Sequence, residues 1–314
     1  MIAGRKILVA GGSGLVGANL TRRLMREGAD VTASYFTRPP AEDLAKVCRR
    51  FDFTAFEDCL KATAGAELAV LSAAHVSGAK GMRDNPTAFL LPNLQIQAGL
   101  LEACSRNRVK KVVLLSSSTV YQPADHPVAE AELDLNQPPF DLYFGVGWLN
   151  RYLEKLAAFY QKTGRLQVQI LRPTNLYGPH DHFDPDHAHV LPALIRRAVE
   201  KENPFVVWGD GGVVRNFLFI EDFVADLLLV LGKDGPGEPL NVASDVNTTI
   251  REAVTVVLNA AGHRVEPRFD LSKPTAIPYR ALETERFSAA FGRRPRTTLA
   301  EGVKRTIEWY SAHR

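Results

Sequence analysis

Apolar residues fall in short dense runs along the first half of the chain, separated by longer stretches of helical spacing. The runs at Ile7–Ala10, Asp30–Ser34, Leu68–Ser72, Val112–Ser116 and Val168–Arg172 read as strands. Between them, segments near 15–25, 41–48, 87–106 and 144–163 repeat apolar positions every three to four residues, as helices do. Near-continuous apolar strands alternating with amphipathic helices predict a parallel sheet covered on both faces. The pattern changes after Pro173. Pro179, Pro185, Pro192 and Pro204 break the chain into short pieces, and a smaller lobe is predicted to start there. The chain is expected to return to the sheet around Phe217–Leu231 and Leu240–Val242 and to finish the lobe over 248–314.

The first strand runs directly into Ala-Gly-Gly-Ser-Gly-Leu-Val-Gly, residues 10–17. Gly11, Gly14 and Gly17 are spaced by three, and an amphipathic helix follows (Leu15, Ala18, Leu20, Leu24). Gly11 permits a tight turn, Gly14 lets backbone approach a pyrophosphate, and Gly17 lets helix and strand pack closely. The fold class is therefore α/β, a Rossmann-type doubly wound parallel sheet with a smaller C-terminal substrate-binding lobe. Residues 1–175, with about 215–245, form the dinucleotide-binding domain; about 176–214 and 246–314 form the lobe. Ligand belongs at the carboxyl ends of the strands, between the two. The second strand ends in Ser34-Tyr35-Phe36-Thr37-Arg38, with no acid to bind ribose hydroxyls. Ser34 and Arg38 suit a 2′-phosphate, which favours NADP over NAD, although Arg38 also reads as a plain solvated loop residue. Asp52 and Phe53, after the presumed third strand, are placed beside the adenine.

Composition narrows the class. The 314 residues are 46% hydrophobic and 23% charged, with a net charge of +3 spread along the chain. That is ordinary for a globular enzyme and leaves no nucleic-acid footprint. No apolar stretch reaches the roughly 18 residues of a membrane span, and no signal peptide precedes the first strand. Cys48, Cys59 and Cys104 have neither metal spacing nor an even count, which points to a reduced, cytoplasmic setting. His180, His182, Asp184, Asp186, His187 and His189 are too irregularly spaced for a metal site, and none is expected.

Longer motifs are more specific. Leu114-Leu115-Ser116-Ser117-Ser118-Thr119-Val120-Tyr121 ends one strand, and Arg172-Pro173-Thr174-Asn175-Leu176-Tyr177-Gly178-Pro179-His180-Asp181 follows another. His189-Val190-Leu191-Pro192-Ala193-Leu194, Val207-Trp208-Gly209, Arg215-Asn216-Phe217, Leu240-Asn241-Val242 and Ser272-Lys273-Pro274 come after. On these residues the chain resembles the extended short-chain dehydrogenase/reductase superfamily, the NAD-dependent epimerase/dehydratase family, and within it the GDP-L-fucose synthase branch. The resemblance implies that Gly11, Ser13, Gly14, Leu15, Val16 and Gly17 line the pyrophosphate. It places Ala73, Ala74 and His75 beside the cofactor with Asn93 nearby, and Pro173, Asn175 and Leu176 on the nicotinamide side. It assigns Asn175, His189, Val190, Arg197, Trp208, Arg215, Lys273 and Arg280 to a nucleotide-sugar substrate. Cationic groups suit the diphosphate and an indole suits a base or sugar face. A homodimer is implied as well, through the helices near 87–106 and 144–163 with Leu90, Leu91, Trp148, Leu149 and Tyr152.

The chain also departs from that pattern. The family uses a Ser or Thr, a Tyr, and a Lys four residues after the Tyr. Ser117 matches the first. Counting from Tyr121 and back from Pro173 puts Val146 at the Tyr position and Asn150 at the Lys position. In a shifted register Tyr143 is the Tyr and Gly147 stands for the Lys. Neither register supplies a lysine. Of the two proton-exchanging residues of the resembled branch, His189 matches the His, whereas Thr119 stands where a Cys belongs. A threonine hydroxyl is too weak an acid to exchange protons at neutral pH. The candidate catalytic set is thus Ser117, Thr119, Tyr143, Asn150 and His189. Three readings stay open: an NAD(P)-dependent epimerase/reductase acting on a GDP-hexose or its 4-keto-6-deoxy derivative with a rearranged proton donor; a UDP- or dTDP-sugar 4-epimerase or dehydratase using bound NAD as transient oxidant; and a catalytically inactive binding protein.

Overall fold

Strand β1 (Lys6–Ala10) is buried on both sides: Ile7 and Val9 enter one apolar cluster, Leu8 and Ala10 another. Successive side chains point to opposite faces of a strand, so the two clusters are the two faces of one sheet. This computed structural model describes residues 2–75, 85, 87–185, 188–273, 277–292 and 296–314. In chain order its further strands are β2 (Asp30–Tyr35), β3 (Cys48–Arg50), β4 (Leu68–Leu71), β5 (Lys111–Leu115), β6 (Gln167–Pro173), β7 (Asn175–Tyr177), β8 (Val206–Trp208), β9 (Val214–Phe219), β10 (Leu240–Val242), β11 (Asn247–Thr249), β12 (Arg268–Asp270) and β13 (Tyr279–Arg280). Seven form a parallel sheet in the order β10-β6-β5-β4-β1-β2-β3. From β1 the chain first builds outward through β2 and β3, then crosses back and builds the other way from β4. The order reverses between β1 and β4, and ligands of such sheets bind in the crevice at that reversal.

Helices α1 (Leu15–Arg26), α2 (Phe56–Thr63), α3 (Leu90–Arg106), α4 (Phe144–Lys162), α5 (Val190–Val199) and α6 (Ile220–Gly232) follow in turn. Ala18, Leu20 and Leu24 of α1 share a cluster with Ile220, Phe223, Leu227 and Leu231 of α6, covering one face. Cys59 and Ala62 of α2, Leu100 and Leu101 of α3 and Ala157 of α4 cover the other. A second sheet pairs β9 with β11, β13 and β7, and β8 pairs with β12. Helices α7 (Ile250–Ala260), α8 (Glu285–Phe291) and α9 (Leu299–His313) complete the chain.

The sequence reading needs three corrections. The helix expected over 41–48 is a single turn of 3-10 helix at Glu42–Leu44 followed by β3. Pro39 and Pro40 disfavour helical entry, and Ala33 N–H donates to Val47 O, drawing the segment onto the edge of β2. Helix α2 was not anticipated; at eight residues it is too short to show a clear period. Of the expected return at 217–231, Phe217–Phe219 belongs to the second sheet and the rest is α6, lying over the first. Only Leu240–Val242 rejoins the large sheet, beside β6.

Candidate active site

The glycine loop shows what each glycine is for. Gly11 has φ +91°, and a Cβ there would lie 2.8 Å from the Ala73 backbone, so the ends of β1 and β4 touch at the crevice. At Gly17 a Cβ would stand 2.0 Å from the Gly11 carbonyl oxygen, closer than any side chain allows. Gly14 differs: the nearest atom to a Cβ is 3.5 Å away. No protein group demands glycine there, which fits a position kept bare for a ligand. Gly14 also starts α1 without a side-chain cap, and no acid occupies the first turn. The early N–H groups, at Leu15, Val16 and Gly17, and the positive helix end are left for an anion. With half-buried Ser13 in the same loop, these residues fit a dinucleotide pyrophosphate.

Around this loop the expected residues divide. Ser34 is buried, its Oγ accepting from Gly11 N–H at 2.8 Å while its carbonyl accepts from Gly12 N–H at 2.6 Å. It shapes the loop from inside and does not offer its hydroxyl to a 2′-phosphate. Arg38 is exposed at the end of β2, 3.4 Å from His182 Nε2. The Phe53 ring is only 6% exposed and stacks on Phe51 in the core, and the Asp52 carboxylate accepts from the Thr54 amide and hydroxyl. The Phe53 ring is therefore not free to stack on an adenine, contrary to expectation, whereas both Thr54 bonds fall on one Asp52 oxygen and leave the other open. Asn93 holds both the N–H and the carbonyl of His75, and Gln97 one turn later donates to the Ala73 carbonyl at 2.7 Å. Together they fix the 73–75 segment. The sequence reading missed Gln97, although its i,i+4 spacing from Asn93 on a mostly apolar helix was a usable signal.

Four of the five candidate catalytic residues, Ser117, Thr119, Tyr143 and Asn150, lie just beyond β5 and at the start of α4. Ser117 Oγ accepts from Thr119 N–H at 3.2 Å and caps a short turn. Asn150 Nδ2 donates to Thr119 Oγ1 at 3.4 Å, joining two of the candidate residues in one contact. A Cβ on Gly147 would sit 2.6 Å from both Pro139 and the Thr119 carbonyl, so no side chain fits there. The residue of α4 that faces Thr119 is Asn150, with Val146 one turn before it. Tyr143 precedes α4 in a 3-10 turn and is 9% exposed. It lines one cavity with Ser118, Thr119, Tyr121, Phe140 and Arg280. The Arg280 guanidinium lies 4.9 Å from its ring centroid.

Beneath this wall runs a buried polar chain. Arg172 makes a two-pronged bond to Glu154, at 2.9 and 2.7 Å, and donates to Tyr121 Oη at 2.7 Å. Ser116 Oγ donates to Glu154, and Tyr121 donates to Asn241 Oδ1. Burial alone would push Arg172 down, but the Glu154 bond and charge hold it above the ordinary arginine value. Burial pushes Tyr121 up to about 12.

On the far side, register places Arg280 of β13 beside Arg215 of β9. Arg215 is 5% exposed, and among the described residues its guanidinium donates to the Val214 carbonyl alone. Arg280 donates to Asn175 Oδ1 at 2.5 Å, and Asn175 donates to the Asn216 carbonyl. Among the described residues no carboxylate pairs with either arginine. Burial, then Arg280, pushes Arg215 down to about 10. A buried cation without a counter-ion is costly unless a ligand supplies the charge. His189, at the start of α5, keeps solvent contact; its crowded surroundings, then Arg280 and His182, hold its pKa below the usual imidazole value. Trp208, 52% exposed on β8, Val190 and Lys273 present open surface. Leu176 and Pro173 are half-buried where β6 passes into β7. Arg197 is committed elsewhere: it forks onto Glu202, donates to the Val206 carbonyl and stacks on Phe205.

The loop after β7 packs on α9 through His180–Trp309 and Phe183–Tyr310 ring contacts. Asp181 in this loop is 4% exposed; one oxygen accepts from His182 N–H and the other has no partner. Burial raises its pKa to about 7. A raised carboxylate binds its proton more tightly folded than unfolded, so stability is lost as pH climbs from about 4 to 7. Asp181→Asn is therefore expected to gain about 1–2 kcal/mol in denaturant titrations at pH 8 and nothing near pH 4. An equal gain at both pH values would sink that account. Asp186 and His187 lie outside the described residues; among those described, no three metal-binding side chains gather, and no helix is long and apolar enough to cross a membrane.

The model of the NAD dependent epimerase/dehydratase family matches residues 7–243. GDP-L-fucose synthase 1 of Arabidopsis thaliana is 31% identical, over 97% of this chain and 93% of the plant protein. GDP-L-fucose synthase of Escherichia coli K12 is 30% identical, over 98% of this chain and 96% of its own. A dTDP-4-dehydro-6-deoxy-D-allose reductase of Streptomyces is also 30% identical, covering 99% and 98%. Among solved structures, Thermotoga maritima UDP-glucose 4-epimerase superposes with a TM-score of 0.87 at 22% identity, covering 98% of this chain and 99% of that one. A Naegleria fowleri GDP-L-fucose synthetase bound to NADP superposes at 0.83 and 23%, covering 99% and 95%. These two likenesses show the fold.

Proposed function

The chain belongs to the NAD dependent epimerase/dehydratase family and is an NAD(P)-dependent enzyme of nucleotide-sugar chemistry, from which we propose that it reduces the 4-keto group of a GDP-linked 4-keto-6-deoxyhexose with NADPH. The observation that carries this reading is the Arg215–Arg280 pair. Two adjacent guanidiniums without counter-ions among the described residues suit a diphosphate, and they stand beside Tyr143 and Asn175. GDP follows from the fucose synthases, and the dTDP reductase is the reason to test both bases. The bound cofactor supplies the hydride. Ser117 holds the sugar carbonyl, and Tyr143 gives its proton to the developing alkoxide with Arg280 over its ring. His189, neutral at neutral pH because its pKa is lowered, accepts a proton from a carbon next to the keto group. Thr119 and Asn150 bind each other and orient sugar or ribose hydroxyls; neither moves a proton. Inversion at two carbons therefore lacks its second acid.

Incubation with GDP- and dTDP-4-keto-6-deoxyhexoses and NADPH in deuterated water is expected to consume one equivalent of cofactor per product. Deuterium should enter at one flanking carbon. A product isomer formed without net consumption would replace this reading with transient oxidation, and no product from either sugar nucleotide would reject it.

The same reading includes a Rossmann domain of residues 1–175 with about 215–245, closed over by the remaining residues. It also includes a homodimer. Leu91, Phe144, Tyr152 and Phe159 leave an apolar strip exposed along α3 and α4, and Trp148 lies edge-on to Phe144. Sedimentation of a 34.6 kDa species at micromolar concentration would remove the pairing.

A further inference from the structure

Helix α3 sends two buried amides to the end of β4, beside the point where the sheet order reverses. Asn93 is 9% exposed and Gln97, one turn on, 6%. Asn93 takes the N–H and the carbonyl of His75, at 2.6 and 3.0 Å, so both ends of its amide are satisfied. Gln97 is less balanced. Its Nε2 donates to the Ala73 carbonyl at 2.7 Å, and its Oε1 is buried with no partner among the described residues. The acceptor is a carbonyl, so only the amide nitrogen can face it. A buried oxygen left unpaired costs stability, and the bond to Ala73 therefore adds little to folding on balance. The peptide that Gln97 holds touches the glycine loop. Ser72 Oγ donates to the Ala10 carbonyl at 2.6 Å, tying the end of β4 to β1. A Cβ on Gly11 would lie 2.8 Å from both Ala73 N and Ala73 Cα. A peptide carbonyl is the negative end of a dipole. Swung into the crevice, it would oppose the phosphates that the N–H groups at the head of α1 attract.

We propose that Gln97 is a positioning residue for the dinucleotide. It holds the Ala73 carbonyl in the interior, away from the pyrophosphate, and thereby sets the affinity for NADPH and NADH alike. The proposal rests on the pyrophosphate lying at the glycine loop and is independent of which cofactor is preferred. A contact to the ribose 2′-phosphate, by contrast, would act on NADPH only.

The test measures dissociation constants of NADPH and NADH at pH 5.5 and pH 8 for wild type, Gln97→Leu and Gln97→Glu, with denaturation midpoints of the cofactor-free proteins. Leucine removes the donor and the unpaired oxygen together. Its midpoint is expected to stay near wild type, while both cofactors bind about tenfold more weakly at either pH. Glutamate keeps the shape, and burial keeps the proton on its carboxyl toward neutrality. At pH 5.5 that carboxyl donates to Ala73 as the amide does, and affinity is expected within about twofold of wild type. At pH 8 it ionises, loses the donor and repels the phosphates, so binding weakens by more than in Gln97→Leu. Titration elsewhere is common to wild type and cancels in the ratio. Wild-type affinity in Gln97→Leu, a loss confined to one cofactor, or a Gln97→Glu protein as weak at pH 5.5 as Gln97→Leu would each overturn the proposal. Gly14→Val tests the premise separately: it should abolish binding of both cofactors. If it binds them as wild type does, the pyrophosphate lies elsewhere and the proposal goes with that placement.

Discussion

Tyr143→Phe is expected to lower kcat for keto reduction by about 10² to 10⁴-fold, the usual effect of losing a positioned acid, while NADPH binding stays within about twofold of wild type. The expectation follows from an inventory of protons around the cavity. Asn150 has an amide, which does not release one. The Thr119 hydroxyl accepts from Asn150 and is too weak an acid. His189 is held neutral at working pH, which makes it a base and leaves it poorly placed as a donor. Tyr143 remains, with a phenol that has no protein partner among the described residues and two guanidiniums beside it. Stacking of Arg280 on the ring means that the charge developing on the phenolate is met at once by a fixed cation. A Tyr143→Phe variant that turns over at the wild-type rate would leave Tyr143 as packing under the cleft. His189→Asn gives the complementary readout: it should stop deuterium exchange next to the carbonyl and spare the binding of both ligands.

Glu154→Gln is expected to cost about 3–5 kcal/mol of folding free energy, the range for stripping one partner from a buried ion pair. The side chains of Arg172 and Glu154 are 4% and 6% exposed. Without the carboxylate, the Arg172 charge is uncompensated and Ser116 loses its acceptor. The loss should show as a lower denaturation midpoint with an unchanged denaturant slope. An Arg172→Met, Glu154→Leu double variant should recover much of it, because an apolar pair of similar volume needs no desolvation. A single-variant loss below about 1 kcal/mol would show that water reaches the pair. The Ser116 to Asn241 chain also joins β5, α4, β6 and β10, the elements beside the candidate catalytic residues, so Glu154→Gln is expected to lower kcat as well.

The sequence exposed the framework well. Strands β1, β4 and β5 were readable because they are buried on both faces and mostly apolar, and β2 and β6 because short apolar runs sit between turn residues. Helices α1, α3 and α4 showed a sustained period. The segment 41–63 was not readable, since a three-residue edge strand and an eight-residue helix are too short to carry a signal. Of the site, the turn at Gly11 and the close packing at Gly17 were legible from the spacing of the glycines. Ser34 and Phe53 were misassigned because sequence gives a residue's place along a strand end and not which way it turns. Arg197 was misassigned because its partner Glu202, five residues on, reads from sequence as an ordinary surface charge. The Arg215–Arg280 pairing depends on the register between β9 and β13, a long-range fact. Gln97 and the Glu154–Arg172 pair find their partners 24 and 18 residues away, across elements whose packing the sequence does not print.

Gly147 has one more bearing, on protein engineering. Because Pro139 and the Thr119 carbonyl fill the space its side chain would need, a designer wishing to place an ammonium group beside Thr119 from α4 finds position 147 closed, while Asn150 already reaches that hydroxyl. The same steric lock spares that experiment a familiar ambiguity. The helix cannot rotate to present the new group from elsewhere without driving its own backbone into the neighbouring loop.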